Sequence, residues 1–215
     1  MKKLVLAVLF TLMFSSQAFA GYRDIPEDET KAAVNWCIEN NIISGYEDKI
    51  NPDDNITRAQ LAVMLCKFGG YEYNGEKVSY SDVSESDWFY QYAAIMSEKN
   101  IITGSMGKFN PDNSVTREEG ITVIARLLEI EENEIYADDF SDVNDISMWA
   151  KGYVGGAVKA GIISPVNEDR KLVPNRAIKR KEMAEMLYKS RGIQAALINP
   201  LLIVDSDGSV WTPVY

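Results

Sequence analysis

One pattern occurs three times along the 215 residues, and nothing else in the sequence restricts the fold as strongly. Ile42-Ile43-Ser44-Gly45, Ile101-Ile102-Thr103-Gly104 and Ile162-Ile163-Ser164-Pro165 each close an apolar-periodic stretch. A turn-rich loop follows, with Asn51-Pro52, Asn110-Pro111 or Pro174-Asn175. A second periodic stretch then opens at Arg58, Arg117 or Arg180, each six residues after its proline. The arginines are 59 and 63 residues apart. Two helices and a loop cannot bury an apolar face alone, but three such units packed together can.

Helical spacing puts Val34, Cys37 and Ile38 on one face of a first helix over about Glu29 to Asn41. The same face recurs as Tyr92, Ala93 and Met96, and as Val154, Ala157 and Val158. Second helices begin near Thr57, Thr116 and Lys179 and carry Leu61, Ile121 and Met183 inward. The units span 21–69, 79–129 and 139–190, joined by a polar linker and an acidic one, with a tail over 191–215. The reading is all-α, with six principal helices in three pairs and Val34, Ala93 and Val154 at equivalent buried sites. Gly45 is placed to end its helix in the left-handed conformation. The apolar tail, Leu201-Leu202-Ile203-Val204 and Trp211, either adds a short strand or packs on the third unit.

The first twenty residues stand outside this pattern. Lys2 and Lys3, an apolar run from Leu4 to Phe14, and Ala18-Phe19-Ala20 read as a secretory signal peptide cut before Gly21. An exported, secreted chain is therefore expected. Losing Lys2 and Lys3 takes the net charge from −10 to −12, which excludes an electrostatic footprint for nucleic acid. Any anionic ligand must be held by a local basic site. Histidine is absent, removing the commonest general base, Ser-His and Cys-His nucleophile pairs, and the usual zinc sites. No catalytic residue, metal or cofactor is expected. Asp205-Ser206-Asp207-Gly208 opens like a calcium loop but lacks the downstream glutamate, so it reads as a turn. Cys37 and Cys66 either pair after export or serve as small buried apolar residues. Their repeat counterparts, Met96 and Ala157 for the first and Ala125 and Tyr188 for the second, are core-like.

Thr57-Arg58-Ala59-Gln60 and Thr116-Arg117-Glu118-Glu119 are capping boxes, in which the hydroxyl and the distal side chain each satisfy a backbone N–H. The cap does not explain the arginine, which sits at the unfavourable end of the helix dipole. An anion must compensate it, either a protein carboxylate or a ligand. The third unit loses the capping threonine in Lys179-Arg180-Lys181-Glu182 yet keeps the arginine.

Tyr80-Ser81-Asp82-Val83 and Phe140-Ser141-Asp142-Val143, Trp88 and Trp149 downstream, Ile-Ile-x-Gly, Asn-Pro and Thr-Arg-x-Glu/Gln, in that order, resemble the S-layer homology domain. Three copies cover most of the chain after Ala20. The resemblance implies three helix-loop-helix repeats in a pseudo-threefold bundle with prongs, the first helices central and the second helices and loops in the prongs. It also implies non-covalent, non-catalytic binding to cell-wall polymer: a secondary polysaccharide carrying pyruvylated N-acetylmannosamine, or peptidoglycan.

On that reading the guanidinium forks of Arg58, Arg117 and Arg180 meet a pyruvyl carboxylate, helped by N–H groups at the helix N-termini. The loop of repeat three departs most from the pattern, which sets Arg180 apart. Trp88 and Trp149 either stack on a pyranose or plug the bundle. Asp82 and Asp142 either accept from sugar hydroxyls or cap the following helix. Gly45 and Gly104 either admit a ligand close to the backbone or only end helices. Glu29 stands where the other repeats have tryptophan, and Trp36 falls elsewhere, as core. The rival functions are an exported protein–protein scaffold or S-layer accessory with partly decayed glycan grooves, and a wall glycosidase. A protein partner would attach through the tail.

Overall fold

The computed structural model describes residues 21–165 and 169–198, with the backbone of 203–204 and 210–211. The expected signal segment and the Asp205–Gly208 turn lie outside the described residues. Six helices appear in the expected order: α1 Lys31–Glu39, α2 Arg58–Gly69, α3 Tyr90–Glu98, α4 Arg117–Leu127, α5 Met148–Lys159 and α6 Arg180–Ile198. In the tail, two-residue strands β1 (Ile203–Val204) and β2 (Val210–Trp211) pair antiparallel. Among the described residues no helix is long and apolar enough to cross a membrane.

Helix starts follow local chemistry. Complete capping boxes open α2 (Thr57/Gln60) and α4 (Thr116/Glu119). α6 keeps half a box, the Lys179 N–H donating to Glu182 Oε2 at 2.8 Å. The first helices end in Schellman turns: Ile42, Ile101 and Ile162 donate back to Cys37, Met96 and Ala157 at 2.8, 2.9 and 3.0 Å. The left-handed residues of these turns are Asn41, Asn100 and Gly161. Gly45 is therefore not the left-handed terminus expected of it. The terminus lies four residues earlier, where asparagine tolerates positive φ.

A closed ring of backbone bonds marks the pseudo-threefold axis. Ile56 N–H donates to Ile178 O (3.2 Å), Ile178 N–H to Val115 O (2.8 Å), and Val115 N–H to Ile56 O (3.1 Å). All three side chains are fully buried. The ring leaves no unpaired edge, because each residue both donates and accepts.

The next N–H groups of each second helix also cross repeats. Arg58 and Ala59 donate to Asn113 O and Pro111 O, Arg117 and Glu118 to Arg176 O and Pro174 O, and Arg180 and Lys181 to Asp54 O and Pro52 O. The carbonyl of each loop proline thus closes the N-terminus of the preceding repeat's second helix. Helix packing follows: α2 lies on α3, α4 on α5 and α6 on α1, while α4 touches both α2 and α6. The pairs are between repeats. The second helices meet at the axis and the first helices flank them, the reverse of the arrangement implied by the family resemblance.

Val34, Ala93 and Val154 are buried at equivalent sites, as expected. Cys37 and Cys66 are free and buried, and burial pushes both thiols up to about 12. They serve as core residues and do not pair. Trp36 packs edge-on against Phe68 and Tyr188. The acidic linker is ordered as a 3-10 helix, Glu134–Asp139, leading into a second, Val143–Asp145. The segment before and within the first covers the glycine face of α5. A Cβ at Gly156 would meet Glu131 O at 2.5 Å, and one at Gly155 would overlap Asn133 O.

Candidate functional site

Each loop is pinned from within its own repeat. Asp24 accepts from the N–H groups of Ile50 and Asn51, Asp82 from Phe109 and Asn110, and Asp142 from Leu172 and Val173, at 2.8–2.9 Å. Burial pushes the Asp24 and Asp82 carboxyls up, but the paired N–H bonds outweigh it and hold both below the ordinary aspartate value. Neither Asp82 nor Asp142 lines a groove or caps a helix with its side chain. The expected helix cap gives way to a clamp on the loop.

The glycines belong to the same frame. Gly45 N–H donates to the Tyr22 hydroxyl (3.0 Å) and Gly104 N–H to that of Tyr80 (2.9 Å). A Cβ at either would overlap the tyrosine ring and the carbonyl of Lys49 or Lys108. The close approach that excludes a side chain is made by the protein itself. In the third repeat Phe140 replaces the tyrosine and Pro165 the glycine, so hydroxyl acceptor and N–H donor vanish together.

Two of the arginines reach by their side chains from one repeat into the next. Arg58 donates through Nε to Phe109 O (2.8 Å) and through Nη2 to Thr103 O (2.9 Å), with its guanidinium 5.3 Å from the Phe109 ring centroid. Arg117 donates through Nε to Leu172 O (2.8 Å) and pairs through Nη1 with Glu182 (3.1 Å). Arg180 makes neither kind of contact among the described residues, and its buried Nε has no partner. Burial pulls all three below the ordinary arginine value, opposed first by Glu119 at Arg58, Glu182 at Arg117 and Asp54 at Arg180. Since Arg180 shares its groove with the loop of repeat one, the aberrant loop of repeat three bears on Arg117.

Three grooves result, and each draws on all three repeats. The first is lined by Arg180, the loop of repeat one including Gly45 and Tyr46, Gln60, Met64 and Lys67 of α2, and Trp88. The second is lined by Arg58, Ile101 to Thr103, Glu119, Val123 and Arg126 of α4, and Trp149. The third combines Arg117, the loop of repeat three, Glu182, Met186 and Lys189 of α6, and Asp28 to Thr30. Their volumes, 260, 180 and 250 Å³, fall below the roughly 300 Å³ at which drug-sized pockets begin, so each suits a single ring.

Trp88 and Trp149 are 64% and 51% exposed and stand on their grooves, so neither plugs the bundle. Glu29 takes the tryptophan position in the third groove, as its alignment implied. Gly104 lines no groove. At α2 and α4 the N-terminal N–H groups are taken by carbonyls of the next repeat and by the capping threonines, whereas α6 has the two carbonyls but no capping hydroxyl for the Glu182 N–H.

A second cation escaped the sequence reading. Lys67, Arg126 and Lys189 each stand nine residues after the helix-opening arginine and line the same grooves. The constant offset was visible, but Lys67 and Arg126 fall in a helix's last turn, where the dipole already explains a base.

The family model for the S-layer homology domain matches residues 21–62, 79–119 and 139–184. The exoglucanase XynX of Acetivibrio thermocellus is 31% identical over 177 residues, 78% of this chain and 16% of that protein. The surface-layer 125 kDa protein of Lysinibacillus sphaericus is 31% identical over 164 residues, 74% of this chain and 14% of its own length. The cellulosome-anchoring protein of A. thermocellus is 31% identical over 156 residues, 69% of this chain and 35% of its own length. The chain thus spans a small part of each of these relatives. With three matched segments laid on three repeats around one ring, the chain belongs to the S-layer homology domain family.

Proposed function

We propose that the chain is an exported, non-catalytic module that binds bacterial cell-wall glycan without covalent linkage and holds itself at the cell surface. The observation that carries this is the pair of exposed tryptophans, each standing on a groove with two cations. An indole face stacks on a pyranose, and a guanidinium beside it selects a sugar bearing a carboxylate. An acidic wall sugar, such as a pyruvylated N-acetylmannosamine of a secondary polysaccharide, fits that pairing better than neutral peptidoglycan glycan. Relatives named as a surface-layer protein and a cellulosome-anchoring protein support a surface role. Those named as enzymes share only a small part of their length with this chain. The Arg180 groove is lined by no carboxylate, so it offers no acid–base pair for glycoside hydrolysis. Leu197 and Ile198, exposed at the end of α6, favour the tail as the place for a protein partner. Cosedimentation with purified wall, before and after stripping the secondary polysaccharide, tests the reading. Binding lost on stripping supports it, binding retained moves the ligand to peptidoglycan, and no binding at all favours the scaffold reading.

A further inference from the structure

The three grooves share one frame, so differences at equivalent positions can be read directly. Position for position, α2 offers Gln60, Val63 and Lys67, α4 offers Glu119, Thr122 and Arg126, and α6 offers Glu182, Glu185 and Lys189. The Arg180 groove is lined by two cations, Arg180 and Lys67, and by no carboxylate. Lys67 is exposed and forms no ion pair among the described residues. Arg180 is half-buried and makes no hydrogen bond or ion pair there, its buried Nε is unsatisfied, and Asp54 offsets its charge only from beyond ion-pair distance. A buried charge left in that state is costly until an anion compensates it.

The Arg117 groove is the opposite case. Glu182 pairs with Arg117 at 3.1 Å and with Arg176 at 2.6 Å. Lys189 pairs with Glu185 at 2.8 Å, and Lys181 with Asp28 at 2.8 Å. Each of these cations has its carboxylate, Lys171 in the same lining forms no ion pair among the described residues, and Glu29 replaces the stacking ring. The Arg58 groove lies between these extremes. It keeps Trp149, but Arg58 is tied to two carbonyls and Arg126 lies over the Tyr153 ring.

We infer that the Arg180 groove, with Lys67, Gln60 and Trp88, is the chain's strongest site for an acidic sugar, and that Glu182 closes the Arg117 groove to one. The ranking rests on the acidic-glycan reading above and adds which grooves serve it and what gates the third. Gln60 and Glu182 occupy the same helix position, so Glu182→Gln copies the open groove's residue into the closed one. Glutamine still offers an oxygen to the Lys179 N–H, while releasing Arg117 and Arg176 to a ligand.

The test is isothermal titration of the chain with the methyl glycoside of pyruvylated N-acetylmannosamine. Trp88→Ala is expected to weaken the tightest phase at least tenfold without lowering the melting temperature, since that ring is mostly exposed. Glu182→Gln is expected to add one equivalent of binding. A tight phase unchanged in Trp88→Ala overturns the ranking, as does unchanged stoichiometry in folded Glu182→Gln. Should Glu182→Gln fail to fold, Trp88→Ala and Lys67→Ala decide alone. No heat and no chemical-shift change with the native chain overturns the acidic-sugar reading itself, and binding indifferent to all these substitutions overturns only the ranking.

Discussion

At the scale of single residues, the polar positions of the repeat are joints between loops and helices before they are contacts to anything else. Asp82 holds two backbone N–H groups at once. Asp82→Ala strands both, with an expected loss of about 2–4 kcal/mol in urea unfolding. The pH dependence follows from the direction of the shifts. Asp24, Asp82 and Glu182 are held below their ordinary values. Their contribution is therefore present above the unfolded carboxylate value and lost as pH falls through the folded one. Melting temperature should hold from neutrality to about pH 5 and fall below about pH 4. A melt that improves on acidification would contradict the clamp. Arg58 is structural as well as a groove wall, since two of its nitrogens tie the next repeat's loop. Arg58→Ala should cost about 2 kcal/mol in the same assay, and lysine should restore only part, having no fork to span both carbonyls.

At the scale of elements, the helices were legible and their pairing was not. Capping boxes, apolar stripes and turn residues are local signals, and they placed α2 at Thr57, α4 at Thr116 and the buried trio Val34, Ala93 and Val154. The bond from Arg58 Nε to Phe109 O joins residues 51 apart, and no local pattern announces it. The same blindness set Arg180 against the loop of its own repeat when it shares a groove with that of the first. One long-range contact did leave a trace, because Tyr22 with Gly45 and Tyr80 with Gly104 become Phe140 with Pro165. The expected consequence is asymmetric. Tyr80→Phe removes the acceptor of the Gly104 N–H and should cost about 1 kcal/mol in thermal unfolding. Phe140→Tyr should gain nothing, since Pro165 has no N–H to offer.

At the scale of the whole molecule, the ring through Ile56, Val115 and Ile178 makes the three repeats one unit. Every groove takes its arginine, its loop and its tryptophan or glutamate from three different repeats. A fragment of residues 21–129 should therefore lack a complete groove and unfold without a sharp transition in calorimetry. A cooperative melt with wall binding from that fragment would refute the shared-groove architecture. The central claim is that exposed indoles on a rigid ring hold the wall glycan. The most direct measurement is cosedimentation of the Trp88→Ala, Trp149→Ala double variant with purified wall, alongside its calorimetric melt. The account predicts that wall binding is lost while the melting temperature stays within a few degrees of the native chain. Full binding by a folded double variant would contradict it.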